Sequence, residues 1–459
     1  MFEFGRELMK RFAGERLKGH SDGLTGGDAA LLELLDLQLL EQEAKSADVA
    51  AGRVSTSDAA QRRLDAAIVW REVARRSGDV VALRKAAATA ELATAAFDKA
   101  KRPEGWARAR CEQGFCGLLG AELFGDAGLN AAAETAFRDG RAAARGGVAA
   151  ALADVGLAIV EGRRELAVGD EAVAAIAAAR FNSPIAALDA ATRRSPTVRP
   201  LAAEARLARA DLLSGWGARL RSDRLLRMAL DDAADAAGRL DSAYEPLTWA
   251  RAEIHRGQGQ ALWGEIVGDV DAVAAGATTL ATALDHLTRD HSPLDWARTQ
   301  IALAQALQAL GDASADERAY EQAVTCYDRA NLVLKDVPAT PLRGLAAGER
   351  AICLARSAEL TGDLAVLDAA EAAMKMELCT LQPRRDPVGW AVVQLHLARL
   401  YEARIELTGR DRGERAAAVT ALDAALDVFG DQGQRSLSIL ATEALERLRD
   451  APPASRTAV

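Results

Sequence analysis

Apolar residues recur along this chain at helical spacing, and no segment of useful length alternates apolar and polar with period two. The pattern predicts helices of about 20 residues joined by short turns, and no strands. The helices themselves recur. Pro103, Pro246, Pro293 and Pro387 are each followed three residues later by Trp (Trp106, Trp249, Trp296, Trp390) and then by Ala. Each opens a helical run that closes on a turn: Gly125-Asp126, Gly268-Asp269, Gly311-Asp312 and Gly409-Arg410. A fixed period in the range of about 20–50 residues marks a stacked array in which no unit buries its own face alone.

Weaker copies complete the register. Pro200 and Pro341 open units with Ala203 and Gly344 at the Trp position, while Thr56 and Gly147 stand at the Pro position of two more. The anchors run 56, 103, 147, 200, 246, 293, 341 and 387, in steps of 47, 44, 53, 46, 47, 48 and 46. Anchor and turn lie close to 22 residues apart in seven units and 18 apart in the unit at 293. Eight units are expected, each a helix A, a tight turn, a helix B and a return loop. Proline suits the first helical position because its missing N–H needs no partner there. Ser292, Thr340 and Asp386 precede anchors as candidate N-caps. Glycines at the turns can adopt the left-handed conformation that ends a helix, and the Asp after them can cap the next.

The four Trp residues read as packing residues that lock helix A against a neighbouring unit, because large beside small is how interiors interdigitate. Two residues beyond them, Arg108, Arg251 and Arg298 recur, about 200° around the helix. His255 follows Arg251 by one turn, and His396 is the matching polar position late in the array. Together these five are the candidate partner-binding ladder on a concave face, suited to an acidic or extended partner. The competing reading is a solvated face with ion pairs inside each repeat, to neighbours such as Glu112 and Glu253.

Written out, the motif resembles the tetratricopeptide-repeat (TPR) family, in particular long-period bacterial variants that open P-x-x-W-A. Pro293 to Leu334 carries the likeness best, with Ala304, Ala306, Leu307, Gly311, Tyr320, Ala323, Tyr327 and Ala330 at small and aromatic packing positions. The period departs from the 34 residues of ordinary units. The resemblance implies an all-α, right-handed α-solenoid of about eight TPR-like helix-turn-helix units with capping helices, used as a docking surface for a protein or peptide. A HEAT-like array shares the two-helix period and is the rival fold.

The expected organisation is a basic amphipathic segment (1–18), a Gly-rich linker (19–27), a Leu-rich capping helix (28–55), the array (56–432), a C-terminal capping helix (433–450) and a disordered tail (451–459). In the first segment Phe4, Leu8 and Phe12 share a helical face amid Arg6, Lys10, Arg11, Arg16 and Lys18. It suits a cap on the first repeat, a partner or self-association site, or an anionic membrane surface.

Composition narrows the function. A net charge of −9 lacks the clustered Lys and Arg of a nucleic-acid footprint. The five cysteines are odd in number and scattered, as in a reduced, cytoplasmic protein. No apolar run is long enough to span a membrane. The five histidines form no metal spacing, no catalytic motif occurs, and Gly257 and Gly259 sit within helix A, where they serve close helix contact. The expectation is a non-catalytic scaffold or adaptor without cofactor or metal. A ligand- or peptide-sensing protein that changes curvature is the alternative, and an enzyme the remote one. A closed polar pocket would favour sensing and an open groove would favour docking.

Overall fold

The computed structural model describes residues 32–450 apart from 54, 55, 127, 336, 338, 339, 382, 385, 386, 433 and 434. The basic segment 1–18, the linker 19–27, the tail 451–459 and the candidate cap Asp386 fall outside the described residues. Helix α1 (Leu37–Arg53) precedes eight helix pairs. The pairs are α2 (Thr56–Ser77) with α3 (Val80–Ala96), and α4 (Pro103–Phe124) with α5 (Gly128–Ala143). Next come α6 (Gly147–Leu166) with α7 (Glu171–Ala179) and α8 (Asn182–Thr192), then α9 (Arg199–Leu220) with α10 (Asp223–Gly238). The second half holds α11 (Pro246–Val267) with α12 (Val270–His286), and α13 (Pro293–Ser314) with α14 (Glu317–Leu334). It ends with α15 (Thr340–Thr361) and α16 (Leu364–Thr380), α17 (Pro387–Thr408) and α18 (Glu414–Asp431), and the terminal α19 (Arg435–Asp450). No strand occurs among the described residues.

The first helix of each pair is 22 residues long except α6, which has 20. That constancy settles the irregular unit at 293. Gly311 does not end α13. The helix runs to Ser314, and Ala315 takes the left-handed conformation (φ 51°), which restores 22 residues from anchor to turn. Gly311 is instead a packing residue, because a Cβ there would lie 3.0 Å from the Tyr320 ring. The cap of α14 is accordingly Asp316, which accepts from the Arg318 amide, rather than Asp312. In unit five the expected turn chemistry holds: Gly268 sits at φ 76°, and Asp269 accepts from the Ala272 amide to start α12. Ser292 occupies the N-cap of α13 but donates its hydroxyl to Asp295 Oδ2 at 2.8 Å. Thr340 is the first residue of α15 itself.

Gly257 and Gly259 do serve close helix contact. A Cβ on Gly257 would meet the Leu280 side chain at 2.7 Å, and one on Gly276 would meet the Ala261 nitrogen and the Gly257 oxygen at 2.6 Å. The backbones of α11 and α12 therefore approach more closely than any side chain allows. The Trp residues are half-buried rather than enclosed. Trp249 bridges the cores of its own unit and the preceding one, Trp296 those of units five and six, and Trp390 packs in the last core. Trp106 lies beside Phe97 and Ala109, with the Lys99 ammonium 4.2 Å from its ring centre.

The array bends far enough to meet itself. Helix α2 of the first unit packs on α13 of the sixth, and α4 of the second on α15 of the seventh. One hydrophobic core thus joins Leu40, Trp70, Val73 and Leu119 to Leu294, Ile301, Tyr320 and Tyr327. The Leu-rich segment near the N-terminus is the seam. The expected start at 28 lies outside the described residues; Leu32 to Leu35 make a turn and Asp36 caps α1, accepting from the Leu39 amide at 2.8 Å. Arg76 donates to the Leu32 and Leu35 carbonyls at 3.0 and 2.8 Å, and the Leu37 amide donates to the Asp290 carbonyl. His291 Nε2 donates to the Glu33 carbonyl at 2.7 Å.

Candidate functional site

Closure turns the inner face of the A helices into an interior, and it changes the surroundings of the arginine ladder. Arg251 is 7% exposed. Its Nε and Nη2 donate to Asp295 Oδ2 at 3.0 and 2.7 Å, Nη2 lies 3.4 Å from Glu72 Oε1, and Nη1 lies 3.7 Å from Glu204 Oε1. Arg251 is therefore the centre of a buried ion cluster drawn from units one, four, five and six, not a rung of an open ladder. The reason is geometric: the face turned away from Trp points at the superhelix axis, and the bend brings the carboxylates of α2 and α9 to it. Arg298 pairs with Glu122 of α4, bridging units six and two, and keeps partial exposure. Ion pairs form both across units and within them. Glu112 binds Arg71, while Glu253 binds Arg256.

Burial disfavours ionisation of Asp295, but Arg251, Arg75 and Arg298 outweigh it and hold the carboxyl at about 2. Glu204 is likewise held below its usual range by Arg75 and Arg251 against the cost of burial. Glu33 differs. It is 4% exposed, and its carboxylate accepts from the Leu247 and Thr248 amides at 2.9 Å and from the Thr248 hydroxyl at the N-terminus of α11. Burial still pushes it up to about 7, against those hydrogen bonds. Glu33, Glu72, Glu204 and Asp295 are not among the site residues expected from the sequence. A sequence signal was present in Asp295, an acidic residue one position before the packing Trp296 at a helix start.

Two cavities open on this interior. The first, of about 230 Å³, is ringed by the A helices of units one to five, with Arg71, Glu72 and Arg75 from α2, Arg108 from α4, Glu204 from α9 and Arg251 from α11. Arg108 is the ladder member without a partner: its guanidinium makes no hydrogen bond or ion pair among the described residues, and its Nη1 is buried. Burial pushes its pKa down. The second cavity, of about 910 Å³, lies toward the other end of α9, α11 and α13, and reaches α15. Asp211, Glu265, Asp312 and Glu349 line it, together with His255 and the amides of Gln258, Gln305 and Gln308. Asp312 is compensated by Arg356 at 2.8 Å and by the Tyr320 hydroxyl at 2.6 Å. Asp211, Glu265 and Glu349 have no ion pair or hydrogen bond among the described residues. Burial, and then the Glu265 charge, push Glu349 up to about 7; burial and Asp312 raise Glu265.

The structure thus brings Arg108 and Arg251 to one cavity and His255 to the other, leaves Arg298 between units two and six, and sets His396 apart on α17. Burial, with Arg399 and Arg356 nearby, pushes His396 down to about 3. Burial also holds His255 below its usual value, against the Asp211 charge. No group of three or more His, Cys, Asp or Glu among the described residues is placed to hold a metal. None of their helices is long and apolar enough to cross a membrane.

No protein-family model and no curated protein matches the chain. Among solved structures it is similar to a Rap protein complexed with competence and sporulation factor, at 12% identity and a TM-score of 0.44, over 85% of this chain and 97% of that one. Aspartyl phosphate phosphatase F from Bacillus subtilis is 12% identical, with a TM-score of 0.34 over 88% and 97% of the two chains. The P58(IPK) TPR domain is 16% identical, with a TM-score of 0.22 over 98% and 99%. These likenesses concern the fold. Helix A and helix B repeat eight times here, with a left-handed residue at the turn in every unit but the third, and each B packs on the A of the next unit. The chain is an all-α helical repeat array.

Proposed function

We propose that the array is a non-catalytic, ligand-responsive binding protein whose larger inner cavity takes a cationic, extended segment of a partner polypeptide. The observation that carries this reading is the set of unpaired carboxylates Asp211, Glu265 and Glu349 around about 910 Å³ of space. Asp211 and Glu265 are exposed and Glu349 is half-buried; carboxylates gathered around one space without an ion pair repel one another, and a Lys or Arg side chain relieves that repulsion. The glutamine amides beside them supply donors and acceptors for an extended backbone. The reading replaces the acidic partner expected for the arginine ladder, since Arg251 and Arg298 are already paired. Sensing is favoured over open docking because α9, α11, α13 and α15 all line the cavity, so a ligand entering it works on the spacing of successive units.

Fluorescence anisotropy with labelled unstructured peptides of matched length tests this. A Lys- and Arg-rich peptide binds, a Glu-rich one does not, and Glu349→Gln with Glu265→Gln weakens the first. With Glu349 near 7, affinity for the basic peptide rises as pH goes from 6 to 8. Equal binding of both peptides, or an unchanged affinity in the double variant, overturns the proposal.

A further inference from the structure

The smaller cavity differs from the larger in the sign of its unmet charge. We propose that it is a separate binding site for a small organic monocarboxylate with an apolar body, whose carboxylate is held by Arg108. Four arginines and three glutamates line the space: Arg71, Arg75, Arg108 and Arg251 against Glu33, Glu72 and Glu204. Three of the four cations are spoken for. Arg71 is bound by Glu112, Arg75 by Glu204, and Arg251 by Asp295, Glu72 and Glu204. Arg108 is left with no acceptor and a buried Nη1.

A guanidinium is a fork of donors that matches a carboxylate in two-point fashion and stays charged when buried, so an unmet one facing a cavity selects an oxyanion. The lining limits which. One unpaired guanidinium calls for one carboxylate, and a dianion such as phosphate would meet Glu72 and Glu204 around the same space. Apart from Thr197 the rest of the wall is apolar, with Leu32, Ile68, Val148, Val198, Pro200 and Leu201, so the body of the ligand is hydrocarbon. At about 230 Å³ the space exceeds that of a single water many times over and fits a body of some ten heavy atoms. The ring of five A helices makes the site sensitive to curvature, since Arg108 and Glu204 come from units two and four.

Isothermal titration calorimetry on the full chain tests the proposal with phenylacetate, its neutral amide phenylacetamide, the cation phenethylamine and inorganic phosphate. Phenylacetate is expected to bind saturably, and the amide, the amine and phosphate are not. Arg108→Met should weaken phenylacetate roughly tenfold to a hundredfold, the loss of one charge-assisted contact. Because that variant removes an unpaired buried cation, its thermal midpoint should equal or exceed that of the parent. Should it fold poorly, Arg108→Lys serves instead, retaining charge while losing the two-point grip and part of the affinity. Equal binding of the amide, preference for phosphate, no binding of phenylacetate at millimolar concentration, or full affinity in a folded Arg108→Met each overturns it.

Discussion

Replacing Arg251 by Ala probes the closure of the array directly. Its guanidinium faces Asp295 at 2.7 Å, Glu72 at 3.4 Å and Glu204 at 3.7 Å, and it is almost fully enclosed. Each attraction has a gross value of about 5 kcal/mol at an effective dielectric near 20. The cost of burying the ions cancels most of that, so the useful quantity is what remains when one partner goes. Three carboxylates would then sit around a hole with Arg71, Arg75, Arg76 and Arg298 left to offset them, and losses of about 3–5 kcal/mol are usual when one partner of a buried ion pair is removed. Chemical denaturation at pH 7 should show a loss of that size. Lys45→Ala, which removes an exposed pair to Glu41 at 3.9 Å, should change stability by no more than about 0.5 kcal/mol.

The pH dependence adds a second check. Asp295 titrates near 2 in the folded chain, and Glu204 and Glu72 also lie below their usual values. Carboxyls depressed in the folded state contribute stability that is complete above their unfolded pKa of about 4 and fades as pH falls toward the folded value. Without Arg251 the depression shrinks, and protonation then relieves the repulsion. The gap between parent and variant should be widest above about pH 5 and narrow on acidification. A variant as stable as the parent at pH 7, or a gap that ignores pH, would refute the buried cluster and return Arg251 to the open ladder.

Two further outcomes follow from packing. Trp249→Ala should cost about 2 kcal/mol, less than the 3–5 of a fully enclosed aromatic, and hydrogen exchange should localise the loosening to units four and five, where the ring packs; uniform loosening along the chain would contradict it. Gly276→Ala should destabilise by about 1–3 kcal/mol or more, since the new Cβ meets backbone at 2.6 Å, whereas Gly238→Ala, with nothing within 4 Å, should be neutral or stabilising by up to about 1 kcal/mol; similar effects at both positions in thermal melts would show that α11 and α12 are not in close contact.

The local grammar was legible because it depends on neighbours in sequence. Pro at the helix start, a left-handed residue 22 positions on and Asp at the next cap are choices made within a few residues of one another. Gly311 misled for the same reason. A glycine followed by aspartate at a helix end is the commoner turn signal, and only the Tyr320 ring explains why glycine is needed one turn earlier. The half-burial of the Trp residues lay beyond the register, because an anchor position fixes which way a ring points but not how completely the next unit covers it.

Closure was not legible, and the fate of the ladder depended on it. Arg251 and Glu72 are separated by 179 residues, Arg298 and Glu122 by 176, and Arg75 and Glu204 by 129. No spacing rule links such positions. They meet because a small rotation per unit accumulates over five units, and that rotation is set by how closely each pair packs, as at Gly276 and Ala261. Charges of both signs on the inner face then neutralise one another wherever the bend brings them together. The groups left over acquire meaning from that background: Arg108 in one cavity, and Glu265 and Glu349 in the other, remain unmatched in an interior where Arg71, Arg75, Arg251 and Arg298 all found partners. Unpaired charge in a paired interior is what both proposed sites rest on, and it is positive in the smaller cavity and negative in the larger.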